Sequence, residues 1–110
     1  MNLKHNQQGQ SLELIFSGDL DAESCNKFRE SLSDLADNPK FANLSINLKE
    51  VAFLDSSGIG LIVFLYKKLK TKEVDLELTH VHGQPLELTS LLRIDKVIPI
   101  STSLENELTS

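Results

Sequence analysis

The sequence predicts an α/β domain of two layers: a small mixed β-sheet, opening on a hairpin, with about four helices packed mainly on one face. Three observations carry this. Segments whose apolar residues alternate every second position are interleaved with segments whose apolar residues recur every three or four. Each alternating segment keeps one polar face, whereas a sheet covered on both sides would show near-continuous apolar strands. Finally, 110 residues suit one domain, burying about 65% of its unfolded surface.

The elements follow in order. Residues 3–5 read as a short first strand, joined by the turn Asn6, Gln7, Gln8, Gly9 to a second strand at 11–17. There Leu12, Leu14 and Phe16 alternate with Glu13 and Ser17. The period then changes, and Cys25, Phe28, Leu32, Leu35 and Ala36 form one stripe on a first helix. Asp21 is its N-cap, and Asn38–Pro39 ends it.

Alternation returns at 44–48, where Leu44, Ile46 and Leu48 face away from Ser45 and Asn47. A second helix over about 57–70 is almost wholly apolar in its first two turns, which predicts the central, most buried helix. A strand at 74–79 alternates Val74, Leu76 and Leu78 with Asp75, Glu77 and Thr79. Pro85 suits the first turn of a short third helix carrying Leu88, Leu91 and Leu92. Residues 97–100 read as a last strand, placed at an edge by Pro99. Thr102 and Glu105 form a capping box for a C-terminal helix. Strands alternating with helices call for parallel crossovers after the hairpin.

Charge and composition exclude several classes. A net charge of -5 opposes attraction to nucleic acid or anionic lipid. Lys67, Lys68, Lys70 and Lys72 are the one basic cluster, and they fall where cations complement the end of the second helix. The first residues have no apolar core of a secretory signal. The longest apolar run, 59–66, is far short of the ~20 residues a bilayer span needs, so no membrane insertion is expected. Cys25 stands alone, which fits a reducing, cytoplasmic setting.

The most informative stretch is 51–60, Val-Ala-Phe-Leu-Asp-Ser-Ser-Gly-Ile-Gly. A strand-like apolar run gives way to Asp55, Ser56, Ser57 and Gly58, then to the apolar second helix. Asp and Ser start helices because their oxygens accept the free N–H groups of the first turn. Ser56 is expected at the N-cap with a reachable hydroxyl, and Ser57 inside the first turn. Backbone N–H groups and the positive end of the helix dipole favour an anion there. A cap with its neighbours is the plain alternative, and local chemistry alone favours it.

Other chemistries fit poorly. Gly58–Ile59–Gly60 begins a dinucleotide pattern, but Val63 holds the third glycine's place and no P-loop lysine follows. These glycines instead permit a tight turn and close approach of the helix to the sheet. Neither serine lies in a nucleophile elbow. His80 and His82 lie in the loop before Gly83, on the edge where Ser56 should lie, yet surface histidines are the better reading. No Cys or carboxylate constellation joins them as metal ligands. Cys25 sits on the core stripe as a buried thiol. Asp19 and Asp21 close the second strand in Gly18–Asp19–Leu20–Asp21, at the carboxyl edge where sites collect.

With those residues set out, the chain resembles the STAS family, named for sulfate transporters and anti-sigma factor antagonists, and in particular its small single-domain bacterial members. The likeness rests on Gly18–Asp19–Leu20–Asp21, on the 44–48 strand and above all on the motif at 51–60. The resemblance implies a small sheet with helices largely to one side. It implies that Ser56 is phosphorylated by a partner serine protein kinase, often itself an anti-sigma factor, and restored by a serine/threonine phosphatase of the metal-dependent type. Asp21 would support partner binding, with Asp19, Asp55, Ser57 and Gly58 forming the phosphosite surroundings. The chain would be substrate and switch, not enzyme, without cofactor or metal of its own. Its output would be transcription, or biofilm and polysaccharide production. The alternative is a constitutive scaffold subunit of a transporter complex, such as one for lipids. A Ser56–His80 hydrolase is a distant third.

Overall fold

Period-2 alternation becomes a five-stranded sheet, described together with its helices over residues 2–102 of a computed structural model. The strands are β1 (Asn2–Gln8), β2 (Ser11–Ser17), β3 (Asn43–Glu50), β4 (Asp75–Val81) and β5 (Ile100–Thr102). They lie in the order β1-β2-β3-β4-β5, with β1 antiparallel to β2 and every later pair parallel. The crossovers carry α1 (Ala22–Asp37), α2 (Ser56–Thr71) and α3 (Gly83–Leu91), the last followed by a short 3-10 turn at Ile94–Lys96. Successive right-handed crossovers moving one way across a sheet leave their helices on the same face. That produces the two layers expected from the sequence.

Register shows why this face is the core. Leu12, Leu44 and Leu76 lie abreast, as do Leu14, Ile46 and Leu78, and all six are buried. Against them pack Cys25, Leu32 and Ala36 of α1 and Ile59, Leu61, Ile62, Leu65 and Leu69 of α2. The opposite face is polar and ties itself together across strands. Ser45 Oγ donates to Glu77 Oε1 at 2.8 Å, and Asn47 Nδ2 donates to Glu13 Oε2 at 3.1 Å. The basic end of α2 is more than a solvated terminus, because Lys68 pairs with Asp37 and donates to Ser33 Oγ at 3.0 Å. It thereby joins α2 to α1.

Several boundaries differ from the sequence reading. β1 runs to Gln8 rather than residue 5, and the turn contracts to Gly9–Gln10, with Gly9 at φ +61°. An edge strand with exposed side chains carries little apolar alternation to betray its length. β3 ends at Glu50, so the apolar run 51–54 is a loop touching the sheet through an isolated Leu20–Leu54 bridge. β4 continues to Val81 and takes in half-buried His80, whose φ of +56° bends the strand. His80 is therefore a half-buried strand residue, whereas His82 does lie in the loop before Gly83, half-buried as the cap residue of the next helix.

Pro85 does lie in the first turn of α3, but the buried line is Pro85 and Thr89. Leu91 and Leu92 face solvent, because the chain leaves the helix there and turns through left-handed Arg93. The last strand begins at Ile100, two residues past Ile98, which is buried, while Val97 is exposed. Pro99 still lies at the sheet edge, its carbonyl accepting the Leu78 N–H at 2.9 Å. Among the described residues there are three α-helices, and the expected C-terminal helix after Thr102 lies outside them.

Candidate functional site

Two chain crossings meet at the carboxyl edge of the sheet. Beyond the regular ladder, β2 and β3 continue side by side as extensions. Gly18 N–H donates to Glu50 O at 3.0 Å, Leu20 N–H to Phe53 O at 2.9 Å, and Asp55 N–H to Leu20 O at 3.4 Å. Each extension then enters a helix. Asp21 caps α1 and Asp55 caps α2, one residue beyond the Leu20–Leu54 bridge in both chains. The two helix starts, with Asp19 beside them, are thus brought together by backbone pairing.

At the second start, Asp55 Oδ1 accepts from Ser57 N–H at 2.9 Å and from Gly58 N–H at 3.1 Å. The cap is Asp55 itself, so Ser56 occupies the first helical position rather than the N-cap. The helix starts one residue early because the carboxylate satisfies two orphan donors at once. Both serines are therefore in the first turn, and exposure separates them: Ser56 is exposed and Ser57 is half-buried. Gly58 has no room for a side chain. A Cβ there would stand 2.4 Å from Leu54 Cδ1 and 2.6 Å from Leu20 O. Gly60 faces open space, so only the first of the two glycines serves close approach.

At the first start, Asp21 Oδ1 accepts from Ser24 N–H at 3.0 Å. That bond favours the ionised form and holds the Asp21 carboxyl below its ordinary range. Ser24 Oγ donates to Asp19 O at 2.9 Å, which fastens the preceding loop to the helix. Asp19, Asp21, Glu23, Ser24 and Lys27 line a shallow polar hollow. Cys25 lies buried beneath; desolvation pushes its thiol pKa up, and the Asp55 and Asp21 charges add to that. The buried thiol expected from the core stripe is what the structure has.

Three further residues complete the edge; of these only His82 was placed there from the sequence, and its bond was not foreseen. Phe53 exposes 43% of its surface immediately before the motif. Gln84, at the start of α3, grips both backbone polar groups of Leu54. Its Nε2 donates to Leu54 O at 2.8 Å, and its Oε1 accepts from Leu54 N–H at 2.8 Å. His82, the cap residue of α3, donates through Nε2 to Lys49 O at 2.8 Å. The only sequence sign was a polar pair flanking Gly83, just past a strand, and nothing in that pattern names a partner thirty residues away. Among the described residues no three His, Cys, Asp or Glu side chains group as metal ligands, and no helix is long and apolar enough to cross a membrane.

Known proteins resemble this chain in sequence and in fold. The anti-sigma-B factor antagonist of Bacillus subtilis (strain 168) is 29% identical over 105 residues, covering 96% of this chain and 94% of that protein. The anti-sigma F factor antagonist of Paenibacillus polymyxa is 27% identical over 93 residues, covering 84% and 80%. Among solved structures, an anti-sigma factor antagonist from Mycobacterium paratuberculosis superposes with a TM-score of 0.83 at 21% identity, over 98% of this chain and 91% of that one. The Bacillus cell fate determinant SpoIIAA in its phosphorylated form gives 0.74 at 16% identity, over 96% of each chain. These superpositions establish the fold. The sequence profile of the STAS domain matches residues 2–107, and the chain belongs to the STAS domain family.

Proposed function

We propose that the protein is a partner-switching module of the anti-sigma factor antagonist type, controlled by reversible phosphorylation of Ser56. The observation that carries this is the exposed Ser56 hydroxyl in the first turn of α2, next to Asp55 and beside the acidic start of α1. A partner serine kinase, itself the anti-sigma factor, supplies ATP and magnesium; a metal-dependent serine phosphatase reverses the reaction in the cytoplasm. The output is transcription through a sigma factor, with biofilm or polysaccharide control as the other use of the same switch. The names of the curated relatives support this reading.

The electrostatics suit a switch. A phosphate on Ser56 adds about -1.5 to -2 charge at pH 7. The helix dipole favours it locally, so the fold survives. Asp55 already occupies the Ser57 and Gly58 N–H groups, so those donors are not free to draw the phosphate inward. The new charge stays at the surface, among Asp19, Asp21 and Asp55, and repels a partner that fits the neutral hydroxyl. Ser56→Asp is expected to lose the kinase partner in a pull-down while Ser56→Ala retains it. Equal capture by the two variants contradicts the switch.

A further inference from the structure

The loop that presents Ser56 is held from its other side by α3. Residue 54 is a bridge position: on the β2 side, Leu20 N–H donates to Phe53 O and Leu20 O accepts from Asp55 N–H. The Leu54 N–H and C=O point the opposite way, as alternate peptide groups of an extended chain must. In a longer sheet β4 would receive them. Regular pairing of β3 with β4 stops at Asn47 with Thr79, and β4 then bends at His80 and becomes α3. Leu54 is fully buried, so its two peptide groups would be left without partners, at a cost buried backbone does not tolerate.

Gln84 supplies what β4 does not. A primary amide has the donor and acceptor of a peptide group, and both are used on one residue at 2.8 Å. His82 does the same for Lys49 O, nearer the end of β3. Side chains of the α3 start thus extend the ladder by substitution up to the residue before Asp55. Leu54 also meets the helix, since its Cδ1 occupies the space beside Gly58.

We infer that Gln84 is a positioning residue for the phosphoacceptor: by fixing the Leu54 peptide groups it sets the Asp55 cap, and through the cap the Ser56 hydroxyl. This rests on the reading of Ser56 as the phosphorylated residue and adds α3 to the machinery that controls it. A partner that moves α3 would change how readily Ser56 is modified without touching the serine.

Amide hydrogen exchange by NMR on the full chain tests the claim without any kinase. Gln84→Met keeps the length of the side chain and removes both bonds. Loss of two hydrogen bonds is expected to speed exchange at Leu54, Ser57 and Gly58 by about tenfold, with the centre of β3 unchanged. Gln84→Glu keeps an acceptor for the Leu54 N–H but sets a second carboxylate oxygen against the Leu54 carbonyl, so it too should exchange faster than wild type. It also decides the matter alone if the Met variant does not fold. With the partner kinase and ATP, kcat for Ser56 phosphorylation is expected to fall about fivefold in Gln84→Met at little change in KM. Wild-type exchange at all three amides in both variants overturns the inference. So does faster exchange at Leu54 alone with an unchanged kcat, which would make Gln84 a structural tie. Absence of phosphate on wild-type Ser56 would instead defeat the functional reading, and the exchange rates would still judge the positioning.

Discussion

Asp21 accepts the Ser24 N–H and also stands beside the Asp55–Ser56 turn, so its carboxylate has two roles to separate. Asn caps a helix about as well as Asp, so Asp21→Asn keeps the cap and removes the charge. The melting temperature is expected to stay nearly unchanged while Ser56 phosphorylation or partner binding weakens. Unchanged phosphorylation and affinity would leave Asp21 as a cap alone. The pH dependence gives a second check. The folded pKa is lowered, so as pH falls the unfolded chain takes up this proton first. Any stability advantage of Asp21 over Asn is therefore complete above the ordinary carboxylate range and lost as pH falls through the folded value. Urea midpoints of the two proteins should keep a constant difference above the ordinary carboxylate range and converge only as pH is lowered through and below it. At this scale the sequence was legible wherever a residue acts on its neighbours. Asp21 as a cap and 55–57 as a helix start were readable from local spacing, though the cap proved to be Asp55 and not Ser56. Gln84 and His82 act across the fold, and their side-chain chemistry names no partner.

The helix α2 is positioned by one missing side chain. At Gly58 a methyl group would meet the Leu20 carbonyl, a backbone atom that cannot swing aside. Overpacking of this kind costs ~1–3 kcal/mol, against at most ~1 kcal/mol gained from the helix propensity of Ala. Gly58→Ala is expected to be destabilising by about 1–2 kcal/mol in urea unfolding. Gly60→Ala meets open space in the same helix and is expected to be stabilising by up to ~1 kcal/mol. Two glycines in one motif, changed identically, thus move stability in opposite directions. A shared sign would mean that close approach at Gly58 does not set the helix position. Element type was readable from the period of α1 and β2, which each bury one regular face, and for α2 from an apolar stretch following helix-start residues. Ends were harder. β1 has too few apolar residues to show alternation, and the end of β4 depends on His80 taking a left-handed conformation that sequence patterning does not encode.

For the molecule as a whole, topology does the decisive work. Parallel strands β2 and β3 end on the same edge, and both continue into helices whose caps lie one residue past a shared bridge. Residues more than thirty apart in sequence, Asp21 and Ser56, come to the same edge because the sheet is parallel, which the alternation of strands with helices had already implied. The opposite sheet face keeps its polar cross-strand bonds and is left clear of this traffic. The central claim is that one hydroxyl on that edge is the control point. The most direct test is to incubate the protein with ATP, magnesium and the serine kinases encoded beside its gene, then map phosphate by peptide mass spectrometry. The account predicts a single phosphate on Ser56, absent from Ser56→Ala and removed by a metal-dependent serine phosphatase. Phosphate found mainly on Ser57, or on neither serine with an active kinase present, would contradict it.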